Sequence, residues 1–188
     1  MQGKLIILSA PSGSGKTTIV KHLLNTMPNL EFSITACSRP KRDCEIDGRD
    51  YYFISVEEFK HRIATNDFVE WEEVYSGSFY GTLKSEVDRI WAKNHIVALD
   101  VDVKGGIHLK KIFGANALSI FIMPPSIGVL KQRLESRGTE TPESLAKRVG
   151  KAAEEMTFAN QFDKIIVNDN LEKSYKEAEK LVLDFLNR

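Results

Sequence analysis

Ten residues into the chain, Ala10 to Thr17 reads APSGSGKT. It matches the pattern G-x-x-x-x-G-K-[ST], except that Ala10 takes the place of the leading glycine. Gly13 and Gly15 let the backbone turn through positive φ and point several N–H groups inward, at the start of a helix whose dipole adds positive potential. Such a nest holds phosphate. Lys16 is then placed to reach β- and γ-phosphate oxygens, and the Thr17 hydroxyl to reach Mg²⁺. A plain glycine-rich turn gives no reason for Lys and Thr to follow the second glycine at once. The loop implies a nucleoside triphosphate, but motors, switches and kinases use it equally, so a second ligand has to be sought elsewhere.

Further residues suit that search. Thr35 to Phe53, TACSRPKRDCEIDGRDYYF, offers Arg39 and Arg42 three apart, followed by Tyr51 and Tyr52. Two guanidinium forks beside a phenol hold a phosphate through bidentate, charge-assisted bonds. FVEWEEVYSGSFYGTL follows, with Glu70 and the turn Tyr80-Gly81-Thr82. HIVALDVDVKGG is an apolar strand that delivers Asp100 and Asp102 to its C-terminal end, where ligands of open parallel sheets gather. Alternation along that strand puts both carboxylates on one face.

These residues need elements to carry them. Apolar runs at 5–8, 32–36, 96–101, 118–123 and 164–167 alternate with segments of helical period, which predicts an α/β fold with a parallel sheet covered by helices on both faces. Ser55 with Glu58 forms a capping box, and Thr141 before Pro142 places a cap and then proline at the first helical position. Two stretches break the alternation. One, about 33–81, reads as a small mixed α/β lobe; the other, about 126–161, reads as a helical pair forming a movable cover. The core is then about 1–32, 82–125 and 162–188 within one domain.

Composition excludes several classes. A chain of 188 residues buries a full core, and its apolar runs fall far short of the ~20 residues that span a bilayer, so no membrane partner is expected. Lys and Arg number 26, as do Asp and Glu, which leaves no net field for long nucleic acid. The start MQGKLIILSAPSG lacks the features of a secretory signal, so a cytoplasmic location is expected. Cys37 and Cys44 have no partners at zinc-ligand spacing, and the four histidines are scattered without local catalytic neighbours.

In order and spacing, the phosphate loop, TACSRPKR, DGRDYYF, FVEW, FYGT, ALDVDVKGG and RLESRGTET resemble the guanylate kinases, among the nucleoside monophosphate kinases of the P-loop fold. The likeness covers essentially the whole chain. It implies transfer of phosphate from ATP to GMP with Mg²⁺, with dGMP as a further acceptor left open, in a monomer or homodimer. It assigns ATP and its phosphates to Ala10, Pro11, Ser12, Gly13, Ser14, Gly15, Lys16, Thr17 and Thr18, with Arg133 and Arg137 from the cover and Asn168 and Asp169 at the adenine. The GMP phosphate falls to Arg39, Arg42, Tyr51 and Tyr80, and guanine to Thr35, Glu70, Thr82 and Asp102, with Gly81 in the intervening turn. Lys16, Arg42, Arg137 and Arg148 are implied in catalysis, and Thr17 and, through water, Asp100 in holding the metal.

The chemistry of guanine agrees with this. Its N1–H and N2–H₂ are adjacent donors that one ionised carboxylate accepts together, whereas adenine has a lone pair at N1. Two departures from the family pattern stand out: Cys44 before Glu45, where glycine is usual, and Ala36 and Cys37 in a stretch that is often polar. A binding module of the same fold without turnover, and a kinase of another small phosphate ester, are the alternatives.

Overall fold

The computed structural model describes residues 3–136 and 141–188. The chain runs β1 (Leu5–Ser9), α1 (Lys16–Thr26), β2 (Leu30–Phe32), β3 (Ala36–Cys37), β4 (Tyr52–Phe53), α2 (Val56–Ala64), β5 (Phe68–Tyr75), β6 (Ser78–Leu83) and α3 (Lys84–Trp91). It continues through β7 (Ile96–Val101), α4 (Val103–Phe113), β8 (Ala117–Met123), α5 (Ile127–Glu135), α6 (Pro142–Met156), β9 (Lys164–Val167) and α7 (Leu171–Leu186).

Five strands form a parallel sheet in the order β2-β7-β1-β8-β9. Its central strand, LIILS, is buried throughout and feeds both faces by simple alternation. Ile6 and Leu8 pack with Ile19 and Leu23 of α1 and with Val182 of α7. Leu5 and Ile7 pack with Val87 and Ile90 of α3 and with Leu109 of α4. Both faces are therefore covered, as the alternating pattern predicts. Among the described residues no helix is long and apolar enough to cross a membrane.

A second, mixed sheet has the order β4-β3-β6-β5, with β3 and β4 parallel and the other pairs antiparallel. It is closed by α2 over its own core, where Phe59 stacks on Phe68 at 4.4 Å between ring centroids. The single strand expected over Phe32–Ala36 is instead a joint. β2 ends at Phe32, the Ser33 N–H bonds Ala98 O at 3.0 Å, and the Ile34 N–H turns to the Glu86 carboxylate before β3 begins in the other sheet. A further cluster, Leu130, Leu134 and Ala152, joins α5 to α6.

Helix starts follow the local chemistry. Ser55 Oγ accepts from the Glu58 N–H, and Thr141 accepts from the Ser144 N–H with Pro142 in the first turn. At α1 the cap is Gly15 at φ 91°, with no side-chain cap, which leaves the first N–H groups of that helix for an anion.

Candidate active site

A cavity of about 320 Å³ opens between the two sheets and α6, at the C-terminal ends of β1 and β7. Residues 10–13 and 15–18 of the phosphate loop form one wall. Thr35, Arg39, Arg42, Tyr51, Glu70, Tyr80 and Gly81 come from the mixed sheet and its loops, Asp100 and Asp102 from the end of β7, and Arg148 from α6. Residues scattered over about 140 positions of sequence thus face one space. Ser14, Thr82, Arg133, Asn168 and Asp169 lie outside its lining, and Arg137 falls outside the described residues.

The phosphate-loop wall is braced from behind. Ser14 is fully buried, and its carbonyl accepts from Asn168 Nδ2 at 2.8 Å and from Arg133 Nη1 at 3.4 Å, while Arg133 Nη2 bonds Asn168 O at 2.9 Å. Asn168 and Arg133, expected at ATP, here hold the back of the loop. A Cβ on Gly15 would lie 2.3 Å from Asn168 Nδ2, so this position needs glycine for space as well as for its positive φ. Lys16 Nζ donates to Val101 O at 2.8 Å and pairs with Asp100. Arg148 Nη1 reaches Ser12 Oγ at 3.1 Å, bringing α6 down on the loop.

Across the cavity, Arg39 is held in a fixed fork. Its two terminal nitrogens bond the Glu45 carboxylate at 2.7 and 2.5 Å, its Nε donates to Tyr80 Oη at 3.2 Å, and its guanidinium lies 5.0 Å from the Tyr51 ring centre. Bonding from Arg39 holds the Glu45 carboxyl below the usual range, and burial pushes the Tyr51 hydroxyl up to about 12. The Arg42 N–H also donates to Glu45, at 2.9 Å. The turn around Cys44 is therefore organised by Glu45 without a glycine before it.

The far end of the cavity holds Glu70, only 4% exposed. Thr82 Oγ1 donates to Glu70 Oε1 at 2.8 Å. Burial pushes the carboxyl up to about 7, Thr82 opposes this, and Asp102 adds to it. The acid expected to be ionised thus exchanges its proton near neutrality. Asp102 caps α4, accepting from the Gly105 N–H at 2.9 Å, so it is at once a helix cap and a wall of the cavity. A Cβ on Gly105 would lie 2.8 Å from both Asp102 Oδ1 and Glu70 Oε2; glycine there lets the two carboxylates sit against the first turn of α4.

Sequence reasoning missed Glu45, Tyr75, Lys151 and Glu155, which also line the cavity. Lys151 Nζ bonds Val74 O at 3.1 Å and stands 4.4 Å over the Tyr75 ring, joining α6 to β5 across the opening. Glu155 Oε1 is 3.7 Å from Lys151, and burial raises its carboxyl. The signal was available in the spacing. Positions 148, 151 and 155 fall on one helical face, so an inward Arg148 brings the other two with it.

Comparison with known proteins addresses the same arrangement. The family model described as guanylate kinase matches residues 2–184. The chain is 52% identical to guanylate kinase of Bacteroides thetaiotaomicron, over 100% of this chain and 92% of that protein. It is 50% identical to guanylate kinase of Porphyromonas gingivalis, over 97% of this chain and 98% of that one. The chain belongs to the guanylate kinase family. Its fold superposes on the crystal structure of guanylate kinase from Anaplasma phagocytophilum with a TM-score of 0.78 at 27% identity, covering 97% of this chain and 85% of that one. The P-loop sheet, mixed lobe and helical cover are the architecture of that family.

Proposed function

We infer that this chain transfers the γ-phosphoryl group of ATP to GMP, giving ADP and GDP. The observation that carries the substrate assignment is Glu70: a buried carboxylate, fixed by Thr82, facing a cavity whose other walls are a guanidinium–phenol cluster and a phosphate loop. Ionised, it accepts N1–H and N2–H₂ of guanine together. Adenine offers a lone pair at N1 and meets the carboxylate with repulsion.

GMP lies with its base at Glu70, Thr82, Thr35 and Asp102 and its phosphate at Arg39, Arg42, Tyr51 and Tyr80. Preorganisation supports this placement. Arg39 is already held by Glu45, Tyr80 and Pro40 O, which leaves one Nη2 N–H for the phosphate, so little side-chain freedom is lost when it arrives. ATP lies along the loop from Ala10 to Thr18. Lys16 exchanges its pairing with Asp100 for phosphate oxygens, and Arg148, with Arg137 in the same role, closes over the transferring group.

The Thr17 hydroxyl and the Asp100 carboxylate both face the cavity beside Lys16 and are the hard oxygen donors that suit Mg²⁺. Among the described residues no group of three or more His, Cys, Asp or Glu could hold a metal ion. Thr17 and Asp100 would be the residues that hold the ion, and two oxygen donors fit Mg²⁺ brought in with ATP. Bound there, Mg²⁺ supplies charge neutralisation at the β- and γ-phosphate oxygens. The chain's own residues align the GMP phosphate oxygen with the γ-phosphorus and exclude water as a competing acceptor.

Three working parts follow, a core of about 1–32, 82–125 and 162–188, a lobe of about 33–81 and a lid of about 126–161, each supported by its own apolar cluster. A cytoplasmic location belongs to the same proposal. A coupled assay of ADP release across the common nucleoside monophosphates tests the assignment. GMP is expected to be the preferred acceptor, and preference for AMP or absence of turnover with GMP refutes it.

A further inference from the structure

Glu86 is an acid at 4% exposure, and the reaction described above makes no use of it. It stands in the first turn of α3, a helix rooted in the core by Val87 and Ile90 against the parallel sheet. Its carboxylate points away from that core, to the place where the chain crosses into the mixed lobe. Oε2 accepts from the Ile34 N–H at 3.0 Å and from Arg89 Nη2 at 3.0 Å. Oε1 accepts from Tyr52 Oη at 3.0 Å and from Arg89 Nε at 2.9 Å. Burial by itself would raise this carboxyl, yet the bonds from Arg89, Ile34 and Tyr52 hold it below the usual range.

The two lobe partners each adjoin a residue of the cavity. Ile34 precedes Thr35, and Tyr52 follows Tyr51, both of which line it. The strands are also joined directly, since the Tyr52 N–H bonds Thr35 O at 3.0 Å. Arg89 is keyed in turn to Glu31 of β2, whose carboxylate also accepts from Lys93. A recess of about 250 Å³ bordered by Tyr52, Glu86, Ala36 and Leu83 lies beside these bonds.

We propose that Glu86 is a positioning residue for the acceptor nucleotide: from a helix fixed in the core, it sets the two lobe segments that carry Thr35 and Tyr51. This rests on the reading that the lobe holds GMP. ATP binds on core elements that Glu86 does not touch, so the proposal separates the two substrates. A merely structural acid lowers stability without discriminating between them.

The test compares wild type, Glu86→Gln and Tyr52→Phe in direct binding of GMP, direct binding of a non-hydrolysable ATP analogue, steady-state kinetics and thermal unfolding. Glu86→Gln turns an amide NH₂ toward donors and leaves at least one of them unsatisfied, which costs about 1–3 kcal/mol, or roughly tenfold or more. The expected result is GMP affinity weaker by ~10-fold or more, with ATP-analogue affinity within about twofold and the GMP KM changed more than kcat. Tyr52→Phe keeps the ring and loses one of the four bonds, so GMP affinity should fall about two- to fivefold with ATP affinity unchanged. Unchanged GMP affinity in folded Glu86→Gln, or equal weakening toward both ligands, overturns the proposal. If Glu86→Gln does not fold, Tyr52→Phe decides in the same way. Wild type that binds no GMP overturns the acceptor reading as well, whereas wild type and variants that bind it equally overturn this proposal alone.

Discussion

Replacing Glu70 by Gln should make the free protein more stable and the enzyme worse. Burial raises this carboxyl from 4.5 to about 7, so between those pH values the folded chain holds a proton that the unfolded chain has released. Stability therefore falls as pH rises through that window, and the loss is complete above about pH 7. At about 1.4 kcal/mol per pH unit the full cost is roughly 3 kcal/mol. Gln carries no such cost and still offers an oxygen to Thr82. The variant should be more stable than wild type at pH 8 by about 1–3 kcal/mol, a rise of several degrees in Tm for a chain of this length, and near parity at pH 4.5. Urea unfolding of both proteins from pH 4.5 to 8 reads the difference directly, since other titrating groups cancel.

Binding should move the other way. Guanine donors favour the ionised acid, so wild-type affinity for GMP should weaken as pH falls below about 7, by up to tenfold per pH unit. The GMP phosphate also titrates near pH 6, and the Glu70→Gln profile retains only that contribution. At pH 8 the variant should lose on the order of 2–4 kcal/mol toward GMP, about 30- to 1,000-fold, because one charge-assisted bond disappears and an NH₂ faces a guanine donor. Its GMP-to-AMP ratio of kcat/KM should also fall, since an amide can accept from adenine N6–H₂ and donate to N1. A stability difference that is flat with pH refutes the burial argument, and an unchanged base preference refutes Glu70 as the base reader.

Other expectations follow from the same cavity. Lys16→Met should fold normally and lose at least ~10²-fold in kcat, as seen by ADP release; near-normal turnover would contradict its place at the phosphates. Arg39→Ala frees Glu45 and Tyr80 from their shared partner and should chiefly weaken GMP binding, whereas Arg148→Ala should chiefly lower kcat. Calorimetry on each variant, set beside steady-state rates, separates these effects. Chelating the metal should abolish turnover while direct GMP binding persists, because Glu70 and Arg39 are held by bonds to Thr82 and Glu45.

The features that sequence disclosed most readily are those set by local chemistry. APSGSGKT states its own geometry, since glycine spacing and the Lys-Thr pair have few other uses, and the helix starts at Ser55 and Thr141 are written in side chains that can form only a few bonds. The path between the sheets was not legible. FSITA has the apolar, β-branched character of one strand, but its hydrogen bonds are divided between Ala98, Glu86 and the second sheet, and those partners come from positions far away in the chain. Glu45 escaped notice for a similar reason: beside two arginines it looks like a solvated charge until Arg39 is seen turned onto it.

Glu70 shows the same divide within one residue. Its place in FVEW, on a strand paired with Tyr80-Gly81-Thr82 of β6, makes it the proposed reader of the base, but its protonation is fixed by burial against Thr82, Asp102 and the first turn of α4, which no local pattern encodes. A carboxylate left in water would be ionised throughout and would gain little by trading water for guanine, because each bond made would replace one already present. Desolvated beforehand, it holds a proton near neutrality and is stabilised as an anion when two fixed donors arrive. On the proposed role of Glu70, part of what folding loses at this position reappears as discrimination between guanine and adenine, and the opposite signs expected for Glu70→Gln in stability and in binding are two measurements of that one effect.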